Sequence, residues 1–184
     1  MESITRKVTL MGIRPILFDR YPGDNKTVLM PEQKMYLGDQ NELIFPALNI
    51  QSFLSAENTK SAVKSLYDSR QYKKIAQAVL GFVIIEPFQI PFNDDKGKPI
   101  IFKGFGKNGI TCIEHVARLS KGVPNPKKRP QLDTPWNLEF RLTLYKNDDI
   151  DELGVRMLFE KGGLLLGFGT YRGVYGKFVV SNWK

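Results

Sequence analysis

Gly162-Gly-Leu-Leu-Leu-Gly-Phe-Gly-Thr-Tyr-Arg-Gly-Val-Tyr-Gly-Lys-Phe-Val-Val-Ser-Asn-Trp-Lys184 is the stretch on which the fold turns. Glycines at 162, 163, 167, 169, 173 and 176 stand between two apolar runs, Leu164–Leu166 and Phe178–Val180. Each glycine forgoes packing and costs about 1 kcal/mol against alanine in a regular element, so the run implies backbone that turns with positive φ or approaches something closely. Tyr171, Arg172, Tyr175 and Lys177 are interleaved with them, two stacking faces and two charges. Bare amides beside aromatics and cations suit a sugar-phosphate backbone. The same residues also suit a glycine-rich hairpin closing a sheet, with Tyr171 and Tyr175 packed on its edge.

Immediately upstream, Asn147-Asp148-Asp149 has the character of an N-cap with acids in the first helical turn. A helix is expected over Ile150–Lys161, with Ile150, Leu153, Met157 and Leu158 on one stripe and Gly162-Gly163 as its stop. Before that, Trp136 to Tyr145 alternates cleanly and is the clearest strand in the chain. Its polar side carries Arg141 and Tyr145, the kind of sheet face on which RNA-binding α/β sandwiches lay bases.

Ser120 to Pro135 holds Pro124, Pro126, Pro130 and Pro135 with Lys121, Lys127, Lys128 and Arg129. Prolines at this density argue against a central strand or helix interior, so 119–135 is expected to be a long basic loop contacting a polyanion. Ile110–Arg118 reads as a strand, Ile100–Lys103 as a short one, and Gly81–Ile90 as a β-rich run. Between Leu48 and Leu80 the apolar spacing turns helical, broken at Glu57-Asn58 and Asp68-Ser69 into two or three short helices. Residues 34–46 form a hairpin around Gly38-Asp39-Gln40-Asn41, and Ile4–Ile16 is a first strand. With the hairpin and the basic loop set aside as insertions, a βαββαβ order remains. The fold class is α+β, ferredoxin-like (RRM-like), in a single domain over 1–184.

The chain has 184 residues, with 27 basic and 19 acidic side chains giving a net charge of +8. That excess favours a polyanionic partner. A single cysteine, Cys112, excludes an internal disulfide and fits a reducing compartment, so a cytoplasmic protein is expected. One Cys and one His cannot build a zinc site, and the glycine run matches neither a Walker loop nor a dinucleotide fingerprint. No metal or cofactor is expected. His115, beside Glu114, is the only histidine, a residue type able to serve as general base or acid.

Two motifs carry a family likeness. Leu166-Gly-Phe-Gly-Thr-Tyr-Arg-Gly-Val-Tyr-Gly-Lys-Phe178, after a helix and before a last strand, resembles the C-terminal glycine-rich loop of the RAMP superfamily, the ferredoxin-like RNA-binding proteins of CRISPR systems. Ile44-Phe-Pro-Ala-Leu-Asn-Ile-Gln-Ser-Phe-Leu54 is similar to the segment by which backbone-type RAMP proteins pass from a hairpin into their first helix. Gln51 and Ser52 depart from it, standing where a basic residue and glycine are preferred. With Arg129-Pro130 ahead of the Trp-containing strand, the pattern also resembles small phage- and prophage-encoded RAMP-like proteins. A host-cell cytoplasm would then be the compartment.

The resemblance implies a non-catalytic single-stranded nucleic-acid-binding protein, with RNA favoured over DNA. Gly167, Gly169, Gly173 and Gly176 would form its loop, with Arg172 and Lys177 as backbone contacts. Lys121, Lys127, Lys128, Arg129, Arg141, Tyr145, Tyr171 and Tyr175 complete the expected groove. Two alternatives stay open. One is a metal-independent ribonuclease using His115 or Tyr171. The other is a self-assembling phage protein, or an anti-CRISPR-like mimic that joins a CRISPR effector complex.

Overall fold

The computed structural model describes residues 1–24, 26–56, 60–118, 122 and 124–184, excluding the side chains of 117 and 118. Strands β1 (Ser3–Gly12) and β2 (Ile16–Leu17) come first, and a one-turn 3₁₀ helix (Pro31–Lys34) leads into the hairpin of β3 (Tyr36–Leu37) and β4 (Leu43–Pro46). Three helices follow, α1 (Ala47–Leu54), α2 (Ala62–Leu66) and α3 (Gln71–Phe82). Next come β5 (Val83–Glu86), β6 (Gln89–Asn93), β7 (Ile110–Arg118), β8 (Pro124–Leu132) and β9 (Asn137–Tyr145), then α4 (Glu152–Leu165) and β10 (Phe178–Trp183).

The alternation read in Trp136–Tyr145 is what centres the main sheet. Leu138, Phe140, Leu142 and Leu144 are buried on one face of β9, and the odd-numbered residues point the other way. β9 pairs antiparallel with β1 along its whole length and with β5 and β6 on its other side, while β10 covers the far edge of β1. The sheet order is β10-β1-β9-β6-β4-β3, with β5 also on β9. Taking β1, the helices α1–α3, β5 with β6, β9, α4 and β10 as six units gives βαββαβ with the spatial order 4-1-3-2. This is the expected ferredoxin-like α+β fold. Helices α1 and α4 cover the apolar face, where Phe53 and Phe159 meet Phe178 and Phe140. Gln51 has a structural task, since its Nε2 donates to the carbonyls of Val79 and Val83 and ties α1 to the end of α3. Among the described residues no helix is long and apolar enough to cross a membrane.

Several local expectations are corrected. The basic segment is, from Pro124 to Leu132, strand β8 rather than a loop, and it forms a second sheet in the order β2-β8-β7. The prolines at 124, 126 and 130 share one parity. The Pro130 carbonyl accepts from Phe18 N at 3.0 Å on the side away from β7, so each proline turns its missing N–H away from β7. β2 pairs only with Gln131 and Leu132, leaving the proline-bearing stretch a free edge, where no ladder bond is lost. Strand β7 therefore belongs to this second sheet and not to the ferredoxin-like core.

Helix α4 runs through Gly162-Gly163 to Leu165. A Cβ on Gly162 would lie 2.7 Å from Phe53 Cζ, and one on Gly163 2.6 Å from Phe178, so both are close-packing positions inside the helix. Its N-cap is Asp151, whose carboxylate accepts from Gly154 N at 2.8 Å; Asn147 makes a separate turn upstream, bonding Asp149 N and Ile150 N. Ile100–Lys103 contributes only an isolated bridge, Glu42 with Ile101. The helix break expected at Glu57-Asn58, and Lys121, lie outside the described residues.

Candidate nucleic-acid interface

The glycine loop is built by its left-handed residues. Gly167, Gly169, Gly173 and Gly176 all have positive φ, as does Tyr171. They fold the chain back on its own backbone: a Cβ at Gly176 would lie 2.0 Å from Phe168 O, and one at Gly169 2.4 Å from Leu17 O. The expectation of uncovered amides is therefore corrected. Phe168 N donates to Gly176 O, Thr170 N to Leu17 O, Gly173 N to Leu166 O and Gly176 N to Pro15 O, while the amides of Val174 and Tyr175 both reach Tyr171 O. Backbone polar groups this close to a core find protein partners. Phe168 drives its ring into that core, 4.4 Å from Phe178 and 4.7 Å from Phe45.

What the loop offers outward is side chains, and they meet the second sheet. His115 pairs with Lys127, and Ile113 with Arg129, across β7 and β8. The Tyr171 ring stacks on His115 at 5.4 Å, with the Arg129 guanidinium also 5.4 Å from it. Tyr175 OH lies 3.3 Å from His115 Nε2. Both tyrosines thus pack on a face of the second sheet rather than on the edge of the sheet that β10 joins, with Tyr171 still 40% exposed. Arg129 is buried; its Nε donates to Asp19 Oδ2 at 2.9 Å and its Nη1 has no partner among the described residues. It is not placed to meet a ligand.

Arg172 is held from both sides, its Nε donating to Gly169 O and its Nη1 to Lys60 O. Desolvation lowers its pKa from the ordinary arginine value, yet a guanidinium remains charged at neutral pH. It lines a cleft of about 370 Å³ between β2, the 3₁₀ turn, the hairpin and the glycine loop, together with Arg20, Lys34, Tyr36, Asn49 and Thr170. The Arg20 guanidinium lies 4.8 Å from the centre of the Tyr36 ring. A second hollow of about 580 Å³ shares Asp19, Arg20 and Lys34 with the first and continues it along Lys127 and Lys128. Lys34 joins the two walls, its Nζ donating to Lys128 O at 2.7 Å and lying 3.4 Å from Asp19. Among the described residues the continuous groove thus presents five cations, Arg20, Lys34, Lys127, Lys128 and Arg172, against one acid, Asp19, which Lys34, Lys127 and the buried Arg129 share.

Arg20, Lys34 and Tyr36 are absent from the sequence-derived set. Their one sequence signal is cations next to aromatics, Arg20-Tyr21 and Lys34-Met35-Tyr36, flanking a turn and a hairpin.

The open face of the main sheet is different. Arg141 pairs with Glu86 at 2.7 Å and Lys7 with Glu139 at 2.9 Å, which leaves the face charge-balanced. Tyr145 sits at the end of β9 opposite Ser3. No hydrogen bond, ion pair or ring contact joins Arg141 or Tyr145 to the groove among the described residues. The glycine loop packs on the helical side of the sheet, so these two cannot share one surface with it. Lys177 lines neither hollow; its carbonyl accepts from Ile13 N and Arg14 N. Among the described residues no three His, Cys, Asp or Glu side chains gather as a metal-binding group.

No family model and no curated protein matches the sequence. Among solved structures the chain is similar to a component of the type III-B Cmr-beta complex, determined by cryo-electron microscopy bound to cognate target RNA. The TM-score is 0.58 at 11% identity, over 100% of this chain and 60% of that one. The likeness is one of fold alone, and the chain spans 60% of the length of the protein it matches.

Proposed function

We propose that this protein binds single-stranded nucleic acid, RNA in preference to DNA, along the groove between the glycine loop, β8 and the 3₁₀ turn. The observation that carries the reading is the charge of that groove: five cations from four separate parts of the chain line it, while the open sheet face is neutralised pair by pair. Tyr36, which lines the cleft beside Arg20, supplies a face for a base. The preference for RNA rests on the similarity to a complex bound to target RNA. Fluorescence-polarisation titration with single-stranded oligonucleotides tests it. At about −0.7 per phosphate neutralised, five contacts give a log–log salt slope near −3.5 and about a hundredfold loss between about 50 and 200 mM salt. Absence of binding below about 10 μM at low salt ends the proposal.

A second reading, metal-independent RNA cleavage, has its own observation in the His115 Nε2···Tyr175 OH contact with Tyr171 stacked above. An imidazole hydrogen-bonded to a phenol is a workable acid–base pair. Labelled RNA incubated in EDTA with wild type and His115→Ala decides it. Intact RNA, or equal cleavage by both proteins, removes His115 as a catalyst.

A further inference from the structure

We infer that the cleft end of the groove is a pocket for a terminal phosphomonoester, the phosphorylated end of a strand, which it distinguishes from the internal phosphodiesters that run along β8. The inference rests on the nucleic-acid reading above and adds a ligand class to one part of the groove.

The two hollows differ in build. The β8 side is walled by exposed Lys127 and Lys128 and by a loop carrying exposed Val28 and Met30, a surface along which a strand can pass. The cleft side is floored by core residues, Leu17, Phe45 and Phe168, all buried. Its volume of about 370 Å³ falls in the range that takes a small ligand, about 300–1,000 Å³.

Its charges are also fixed in place, whereas surface lysines are free to swing. Two nitrogens of Arg172 are occupied by Lys60 O and Gly169 O, which orients the guanidinium and leaves Nη2 without a protein partner among the described residues. Lys34 is held by Lys128 O and Asp19, with its side chain 11% exposed. Arg20 is placed over Tyr36, its guanidinium 4.8 Å from the ring centre. Arg20, Lys34 and Arg172 against Asp19 leave the cleft with an excess of two positive charges. An internal phosphodiester carries one negative charge, whereas a phosphomonoester carries about −1.5 to −2 at neutral pH and presents three strong acceptor oxygens. Oriented donors and a double positive excess match the monoester. The Arg20–Tyr36 pair, which lines the cleft, offers a face to the terminal base.

The same chemistry occurs on a free nucleoside monophosphate, so the experiment carries both sources. One internally labelled RNA is titrated in three forms, 5′-phosphorylated, 3′-phosphorylated and hydroxyl at both ends, with nucleoside monophosphates as competitors. One phosphorylated form is expected to bind at least about fivefold more tightly than the hydroxyl form. Arg20→Gln, and Arg172→Lys, which keeps the charge but removes Nη2, are expected to abolish that ratio. Lys127→Gln with Lys128→Gln weakens all three forms alike and leaves it intact. Displacement of the phosphorylated strand by a monophosphate identifies the free nucleotide as an accepted source, and its failure restricts the pocket to strand ends. Equal affinity for all three forms overturns the inference while the groove reading survives. If no strand binds, the groove reading falls, and calorimetric titration of nucleoside monophosphates then judges the pocket alone: no heat overturns it.

Discussion

Replacing Asp19 by alanine separates structural charge from functional charge in this groove. Asp19 is the acid on which Arg129, Lys34 and Lys127 converge, at 2.9, 3.4 and 3.8 Å. Lys127 is 40% exposed and loses little, because an exposed ion pair contributes about 0–1 kcal/mol. Arg129 is 5% exposed, and its Nη1 is already unpartnered among the described residues, so Asp19→Ala leaves an uncompensated buried guanidinium. Breaking such a pair from one side costs about 3–5 kcal/mol. The Tyr171 face retains part of the attraction, which sets the expected loss at the lower end, about 3 kcal/mol. Urea denaturation reads this as a fall in midpoint of about 1–1.5 M at an m-value of about 2–3 kcal/mol/M. Adding Arg129→Met should restore most of the loss, since a buried pair replaced by apolar packing is often neutral. Asp19→Ala alone, where it stays folded, has one more net positive charge at the groove and should bind RNA with a steeper salt slope. A loss below about 1 kcal/mol, or no rescue by Arg129→Met, would refute the assignment of Arg129 as a structural cation.

Further outcomes follow from single contacts. Gly176→Ala places a Cβ 2.0 Å from Phe168 O at a φ of +67° and should lower the melting temperature well beyond Gly97→Ala, which has φ +74° but nothing within 4 Å; equal shifts would mean the loop is not closed on itself. Glu152 accepts from Arg6 at 2.6 and 2.9 Å and from Trp183 Nε1 at 2.8 Å, and the hydrogen bonds from Arg6 and then Trp183 hold its carboxyl below the ordinary value. Its folded form thus resists protonation more than its unfolded form, so the stability it adds is complete above about pH 4.3 and is lost as the pH falls further. Urea midpoints should separate wild type from Glu152→Gln at pH 6 and converge towards pH 3; a constant gap would contradict the linkage.

The parts of the fold legible in the sequence were those where side-chain period and burial agree. The alternation of β9 fixed the centre of the sheet, and the glycine run correctly marked a tight return between helix and last strand. Gly162-Gly163 read as a stop because helix propensity is local, while the partners that make glycine necessary there, Phe53 and Phe178, lie far away in sequence. Pro124–Pro130 read as a loop because proline count was legible and proline parity against an unseen partner was not. Of the proposed groove, Lys127, Lys128 and Arg172 are legible in the sequence, for charge and loop context are written locally. Arg20, Lys34 and Tyr36 were missed because only tertiary packing brings the turn and the hairpin to the glycine loop. From sequence Arg141 reads as a ligand contact because the pairing of β5 with β9, which sets Glu86 beside it, has no local signature.

The claim on which the rest depends is the location of the binding surface. Two double charge reversals, Lys127→Glu with Lys128→Glu in the groove and Lys7→Glu with Arg141→Glu on the open sheet face, change net charge equally and so cancel any general electrostatic effect. Titrated against one single-stranded RNA at fixed low salt, the groove pair should weaken binding at least about tenfold and the sheet-face pair by less than about twofold. The opposite order, with the sheet-face pair the more damaging, would contradict the account.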